Sequence, residues 1–228
     1  MTADEPASKL LRFAWNDTAH HLANCLADGP MEKAGDRRLV YRGRNAAGAT
    51  IVFAPPTLLA GRFPNLEAPA FLEAISDFDD LGIEFMLLLQ AGAAAIGVFD
   101  DGELILHKVI KKYVVRGQGR AQPAHLKTKG KSRYGSRLRL QNWKSLLEEV
   151  SERLQSWIDE AGEPDLFLTS CPQRTWPELV SAGLPAVLAE GEVRCHLPFD
   201  IHKPNFEELL RARKLAETGE LTIDPVSA

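Results

Sequence analysis

The chain has 228 residues, of which 45% are hydrophobic and 25% charged, with a formal net charge of -4. These are the proportions of an ordinary soluble globular protein, long enough for one large domain or one domain with appendages. Cys25, Cys171 and Cys195 form no CxxC pair, which excludes zinc-finger and redox spacing, and their odd number in a long chain favours a reducing compartment. The N-terminus, MTADEPASKL, is too acidic and polar for a signal peptide. The longest apolar run, Phe85–Val98, is broken by Gln90, Gly92 and Gly97 and is too short to span a bilayer. A cytoplasmic protein without membrane contact is expected.

In chain order, Leu11, Ala14, Trp15, Leu22 and Cys25/Leu26 predict an amphipathic helix over 8–26, ended by Asp28-Gly29-Pro30. Two β-rich runs, 39–42 and 50–54, flank a Gly-bounded hairpin loop. Leu58–Asn65 reads as loop and Pro69–Asp80 as helix. Ile83–Gln90 is nearly continuous apolar sequence, as in a central strand buried on both faces. Ala93–Phe99 follows, and Asp101-Gly102 predicts a tight antiparallel turn into a third strand, Glu103–Arg116. Residues 117–137 have no hydrophobic periodicity and read as a mobile loop. Leu140, Trp143, Leu146, Leu147, Val150, Leu154, Trp157 and Ile158 predict a helix from Leu138 to Ala161. Asp165–Thr169 reads as a buried strand, Pro172–Ala182 as a short helix, and Ala186–Ala189 and Val193–Leu197 as strands. A last helix is expected from Asn205, its N-cap, to about Thr218. The domain plan is a helical extension over 1–35, a main domain over 36–218 and a frayed tail over 219–228. The fold class is α/β (α+β), a mixed β-sheet with flanking helices.

The charge is segregated. Leu104–Leu147 contains no Asp or Glu but twelve of the 27 Lys+Arg, so the remaining 15 face 31 acidic residues and the rest of the chain carries -16. Such a basic segment on an acidic body is built to meet a polyanion. Its cations are Lys108, Lys111, Lys112, Arg116, Arg120, Lys127, Lys129, Lys131, Arg133, Arg137, Arg139 and Lys144. His107 joins them, and Tyr113, His125 and Tyr134 can stack on bases or sugars. In the middle lies Gly117-Gln118-Gly119-Arg120-Ala121-Gln122. A glutamine amide is no base at neutral pH, but it can orient a water or hydroxyl and donate to developing charge. The run lacks the third glycine of a dinucleotide fingerprint and the Gly-Lys-Ser/Thr of a phosphate-binding loop. A basic Gly-rich loop is more often a docking element than a catalytic one, and His107 at a strand is more often structural. His20-His21 has no carboxylate at metal-ligand spacing, and neither a metal nor another cofactor is expected.

Two blocks carry a family resemblance. HKVIKKYVVRGQGRAQ followed by GSRLRLQN, and LPFDIHKPNFEELLRARKL near the end, resemble the release-factor domain of the Vms-type family. The first matches through His107, Lys108, Tyr113, Val115, Arg116, Gly119, Gln122, Gly135, Ser136, Leu138 and Arg139. The second matches through Pro198, Phe199, Lys203, Pro204, Phe206 and Glu208. Eukaryotic members add ankyrin repeats and a zinc finger, which this sequence lacks, so it looks like a compact prokaryotic-type member. The family is similar to the middle domain of the eukaryotic class I peptide release factor, which implies an RNase H-like fold.

The resemblance implies a ribosome-rescue peptidyl-tRNA hydrolase or tRNA-cleaving release factor. Gln122 and Gly119 would be catalytic, in a Gly-x-x-Gln loop inserted at the peptidyl-transferase centre. The implied partners are the large ribosomal subunit and the peptidyl-tRNA acceptor end, held by His107, Tyr113 and the cations around the loop. Ester hydrolysis and cleavage near the CCA end both remain open. So does a non-catalytic tRNA- or ribosome-binding module of the same fold.

Overall fold

The structure, a computed structural model, describes residues 8–35, 38–113, 131–190 and 192–225, with Lys131–Gly135 as helix backbone only. The chain divides into two compact units. One comprises residues up to Leu81, Cys195–Asp200 and those from Arg211 onward. The other comprises Gly82–Arg194 and Ile201–Leu210.

The first unit is built on an antiparallel sheet. Its strands are β1 (Lys9–Ala14), β2 (Met31–Ala34), β3 (Val40–Arg44), β4 (Thr50–Ala54) and β10 (Thr218–Asp224), in the order β1-β10-β4-β3-β2. Helices α1 (Thr18–Asp28), α2 (Thr57–Arg62) and α3 (Ala68–Ser76) complete it. The hairpin between β3 and β4 is as expected, with Asn45 Oδ1 accepting from the N–H groups of Ala47 (3.1 Å) and Ala49 (2.9 Å). The core is aromatic. Phe13 stacks on Phe53 at 5.3 Å, Tyr41 lies against Phe71 at 5.7 Å, and the buried Tyr41 hydroxyl donates to the Leu66 carbonyl at 2.9 Å.

Several expectations are corrected here. The helix over 8–26 is in fact strand β1, a short 3-10 turn and α1, so the 1–35 extension is not purely helical. Thr18, Leu22 and Cys25 are its buried helical face, whereas Leu11 and Phe13, two residues apart, share one face of strand β1. Leu58–Asn65 is not all loop, because Leu58 and Leu59 bury themselves through the single turn of α2, begun by Pro56. The tail 219–228 is not frayed over its described part. Its β10 residues pair with β1 on one side and β4 on the other.

Gly219 of β10 lies opposite Phe13, whose ring occupies the space a side chain would need. Gly219→Ala should therefore expel a ring that is 6% exposed and destabilise the first unit by about 1–3 kcal/mol. Urea unfolding read by hydrogen exchange in β1 would check it, and an unchanged midpoint would refute it.

A mixed sheet has the order β7-β6-β5-β8-β9, its first four strands lying within the second unit. Its strands are β5 (Ile83–Gln90), β6 (Ala93–Asp100), β7 (Glu103–Lys111), β8 (Leu166–Ser170) and β9 (Arg194–His196). β5, β6 and β7 form an antiparallel meander, and β8 joins β5 in parallel. The turn between β6 and β7 has Asp101 at φ 44 and Gly102 at φ 84, the left-handed pair that Asp-Gly supplies cheaply. The apolar runs of β5 and β6 are buried on both faces. On one face lies α4 (Lys131–Ala161), with Leu146, Leu147, Val150, Leu154 and Trp157 packed into the same core as Phe85, Leu87 and Leu89. Elsewhere in the sheet, a side chain at Gly97 would meet Leu209 at 2.9 Å. Leu209 belongs to α7 (Phe206–Ala216), whose N-cap is Asn205 as expected, Oδ1 accepting the Glu208 N–H at 2.7 Å.

Here too the structure differs in places. The mixed α/β character holds, but among the described residues the strands form two sheets rather than one. Residues 131–137, expected as part of the mobile loop 117–137, are helical, since lysine and arginine let α4 extend past Gly135 at little cost. Leu140, counted in the apolar stripe, is 58% exposed. Ala186–Ala189 is helix α6, not strand. Pro185 starts it and Leu188 is its one buried residue, and four residues are too few for periodicity to decide. The expected 172–182 helix is a 3-10 turn followed by α5 (Trp176–Ser181).

Candidate nucleic-acid interface

β7 is an edge strand, and alternation along it separates its basic residues. Leu106 and Ile110 turn toward the core shared with α4, while His107 is exposed opposite Gly97. Lys108 and Lys111 are exposed, and alternation sends them to opposite faces. Lysines on an open edge also prevent another strand from pairing there, so both have a use that needs no partner.

The His107 ring lies on the Phe206 ring, centroids 4.5 Å apart and planes at 39°. This joins the two sequence blocks across a hundred-residue separation. Around Phe206 the chain is fixed by Glu208, only 5% exposed, whose Oε1 accepts the His202 N–H at 2.6 Å and whose Oε2 is 3.3 Å from His202 Nδ1. Gln90 Nε2 donates to the Ile201 carbonyl at 2.9 Å. The later block's Phe206 and Glu208 thus build the entry to α7 and seat a ring on His107.

The end of β7 is tied to α4. Lys112 Nζ donates to Ser145 Oγ at 2.7 Å and meets Glu149 Oε2 at 2.8 Å. Its backbone N–H donates to the Gly92 carbonyl at 3.0 Å. Asn142 Nδ2 donates to the Tyr113 carbonyl at 2.7 Å, while the Tyr113 side chain stays 57% exposed. Lys112, expected to contact RNA, is engaged within the protein. Asn142, Ser145 and Glu149 had no assigned role. Their signal was a polar stripe at i, i+3 and i+7 beside the apolar one.

On α4, Arg137 and Lys144 are exposed, and Arg139 Nη2 donates to Ser136 Oγ at 3.1 Å. The helix carries its charge against its dipole. It has no acidic residue in its first turn and no basic residue in its last, and Lys131, Arg133, Arg137, Arg139 and Lys144 precede Glu148, Glu149, Glu152, Asp159 and Glu160, with Arg153 alone among the acids. Helix stability favours the reverse order, by about 0.3–1 kcal/mol for each charge near an end. The basic half is therefore not explained by helix stability, and it adds to the positive end of the dipole, a setting that suits an anion.

Arg116, Gly119, Arg120, Gln122, Lys127 and Lys129 lie outside the described residues, as does His125; Lys131 and Arg133 are placed by helix backbone only. Burial pushes the Cys25, Cys171 and Cys195 thiols up to about 11, with Asp28 adding to the effect at Cys25 and Arg194 opposing it at Cys171. None is then a thiolate at neutral pH, the form a nucleophile needs. Among the described residues, no three His, Cys, Asp or Glu side chains group to hold a metal ion, and no helix is long and apolar enough to cross a membrane.

Comparison with known proteins adds three findings. A family model described as the Bacteroidetes VLRF1 release factor matches residues 84–222. The tRNA endonuclease ANKZF1 of Homo sapiens is 31% identical over 149 residues, 63% of this chain, and that of Bos taurus is 28% identical over 131 residues, 55% of it. The matches span only 20% and 18% of those two proteins. The solved structure of the Vms1 mitochondrial localization core superposes with a TM-score of 0.48 and 12% identity, over 92% of this chain and 82% of that one.

Proposed function

The chain belongs to the VLRF1 release-factor family described for Bacteroidetes, and from that membership we propose that it frees nascent chains from peptidyl-tRNA on obstructed large ribosomal subunits. The observation that carries this reading is the extent of the family match. Residues 84–222 take in β5, β6, β7, α4 and the basic segment with Gly119 and Gln122. Cations on β7 and on the first half of α4 flank that segment and suit the phosphates of a tRNA acceptor end. Gly119 gives the backbone freedom beside Gln122. The Gln122 amide orients the attacking oxygen and donates to the charge that develops.

Two bond-breaking routes fit these residues. In ester hydrolysis, water attacks the peptidyl ester carbonyl, the acyl C–O bond breaks, and the tRNA keeps its 3′ end. In cleavage, a ribose 2′-hydroxyl attacks the adjacent phosphorus and the P–O5′ bond breaks. The shortened tRNA ends in a cyclic phosphate, and the nascent chain leaves with the terminal nucleotides. The name of the human and bovine relatives, tRNA endonuclease, supports the cleavage route.

Incubating stalled ribosome–nascent-chain complexes with the protein and running the tRNA on a sequencing gel tests both levels. Loss of peptidyl-tRNA with a shortened tRNA is the expected result. Loss with an intact CCA end overturns the cleavage route and retains the release function. Cosedimentation with the large subunit while peptidyl-tRNA persists overturns the release function in favour of a docking module.

A further inference from the structure

We propose that Asn142, Ser145 and Glu149 of α4 are positioning residues that hold Lys112 and Tyr113 and so set where and in what direction the chain enters the segment containing Gly119 and Gln122. The inference rests on the reading of that segment as the working part of a release factor.

The geometry is specific. The last paired residue of β7 is Lys111, opposite Ala93. Past that point a strand end frays unless something holds it. Here three side chains of α4 and one backbone bond hold it. Asn142 binds the Tyr113 carbonyl at 2.7 Å, Ser145 and Glu149 share the Lys112 ammonium at 2.7 and 2.8 Å, and the Lys112 N–H keeps one bond to Gly92. Asn142, Ser145 and Glu149 fall on one stripe of the helix. The opposite stem of the segment is the start of the same helix at Lys131. Both ends are thus referred to one rigid element, about 16 Å apart along its axis from Lys131 to Asn142 by the rise per residue.

The charge pattern has a matching feature. Glu148 and Glu149 are the first acidic residues after the acid-free window that runs to Leu147. Glu149 neutralises one of the twelve cations, so Lys112 is occupied within the protein and is not free for a phosphate. The Lys112 and Glu149 side chains are 24% and 39% exposed. An ion pair that open contributes little to overall stability. Its use is local, since a misplacement of about 1 Å in a reacting group costs about a hundredfold in rate.

The test compares wild type, Asn142→Ala, Glu149→Lys and the double variant Lys112→Glu/Glu149→Lys in single-turnover consumption of peptidyl-tRNA from stalled complexes. Each single change should slow the rate at saturation about ten- to a hundredfold, with the half-saturating concentration unchanged. The double variant, in which the pair is reversed and Ser145 can donate to the new carboxylate, should recover most of the rate. Wild-type rates in both single variants would overturn the proposal. So would a double variant slower than Glu149→Lys with a raised half-saturating concentration, the result expected if Lys112 contacts RNA.

Should wild type itself consume no peptidyl-tRNA, the functional reading fails and the positioning claim is judged on hydrogen exchange at the Lys112 amide. Exchange about tenfold faster in Asn142→Ala and Glu149→Lys, with β5 and β6 unchanged, supports it. Unchanged exchange overturns it.

Discussion

A chain ending at Glu217 is expected to lose the first sheet. β10 is the second strand of that sheet, with six residues in register with β1 and five with β4. β1 occupies the edge, so without β10 it has no strand beside it. Phe13 then leaves a core in which it stacks on Phe53, a loss of about 3–5 kcal/mol on its own. Glu220 also leaves Arg12 and Arg38, which it meets at 3.2 and 3.3 Å, although exposed pairs of this kind contribute about 1 kcal/mol at most. Against a typical domain stability of about 5–15 kcal/mol, removal of the strand should leave the first unit largely unfolded. Hydrogen exchange would show Ile51–Phe53 and the β1 amides unprotected. Protection equal to that of the full chain would contradict this role for β10 and restore the expectation of a frayed tail over 219–228.

That strand was legible in principle. Gly219, Leu221 and Ile223 alternate with Thr218, Glu220, Thr222 and Asp224, the period of a half-buried strand. A glycine and two acids in seven residues, directly after a well-formed helix, dilute that pattern. β1 was lost for a related reason. Leu11, Ala14 and Trp15 fit a helical spacing by chance with the true helix face Thr18, Leu22 and Cys25. Where runs were long and apolar, as in β5, β6 and the stripe of α4, sequence and structure agree, because burial on both faces or along one stripe leaves few alternatives. Four- to six-residue helices begun by Pro56 and Pro185 were beyond the reach of periodicity.

The basic character of the candidate site was fully legible, because charge needs no geometry to be counted. What each cation does was not. Lys112 reads like its neighbours Lys108 and Lys111 in the sequence, yet only Lys112 is bonded to Ser145 and Glu149, a distinction created by two residues more than thirty positions away. The second block carries a family resemblance without showing what its residues do. Its Phe206 and Glu208 serve first as structure, one packed at a tilt against His107 and the other closing the turn before α7.

Replacing Gln122 by alanine should abolish most of the activity. A neutral amide that donates to developing charge contributes more to the transition state than to the bound substrate. Removing one such donor costs about a hundred- to a thousandfold in turnover. Affinity should hold, because the phosphate contacts come from cations on β7 and α4 that the substitution leaves in place. kcat and kcat/KM should then fall together while KM stays constant, the signature of an interaction made only in the transition state. The fold should be unaffected, with the same unfolding midpoint as wild type. The decisive measurement is the single-turnover rate at which saturating wild type and Gln122→Ala consume peptidyl-tRNA on stalled large subunits. A rate about a hundred- to a thousandfold lower for the variant, at equal ribosome binding, is the predicted result. Equal rates for the two proteins would contradict the role given to Gln122 and, with it, the proposed mechanism.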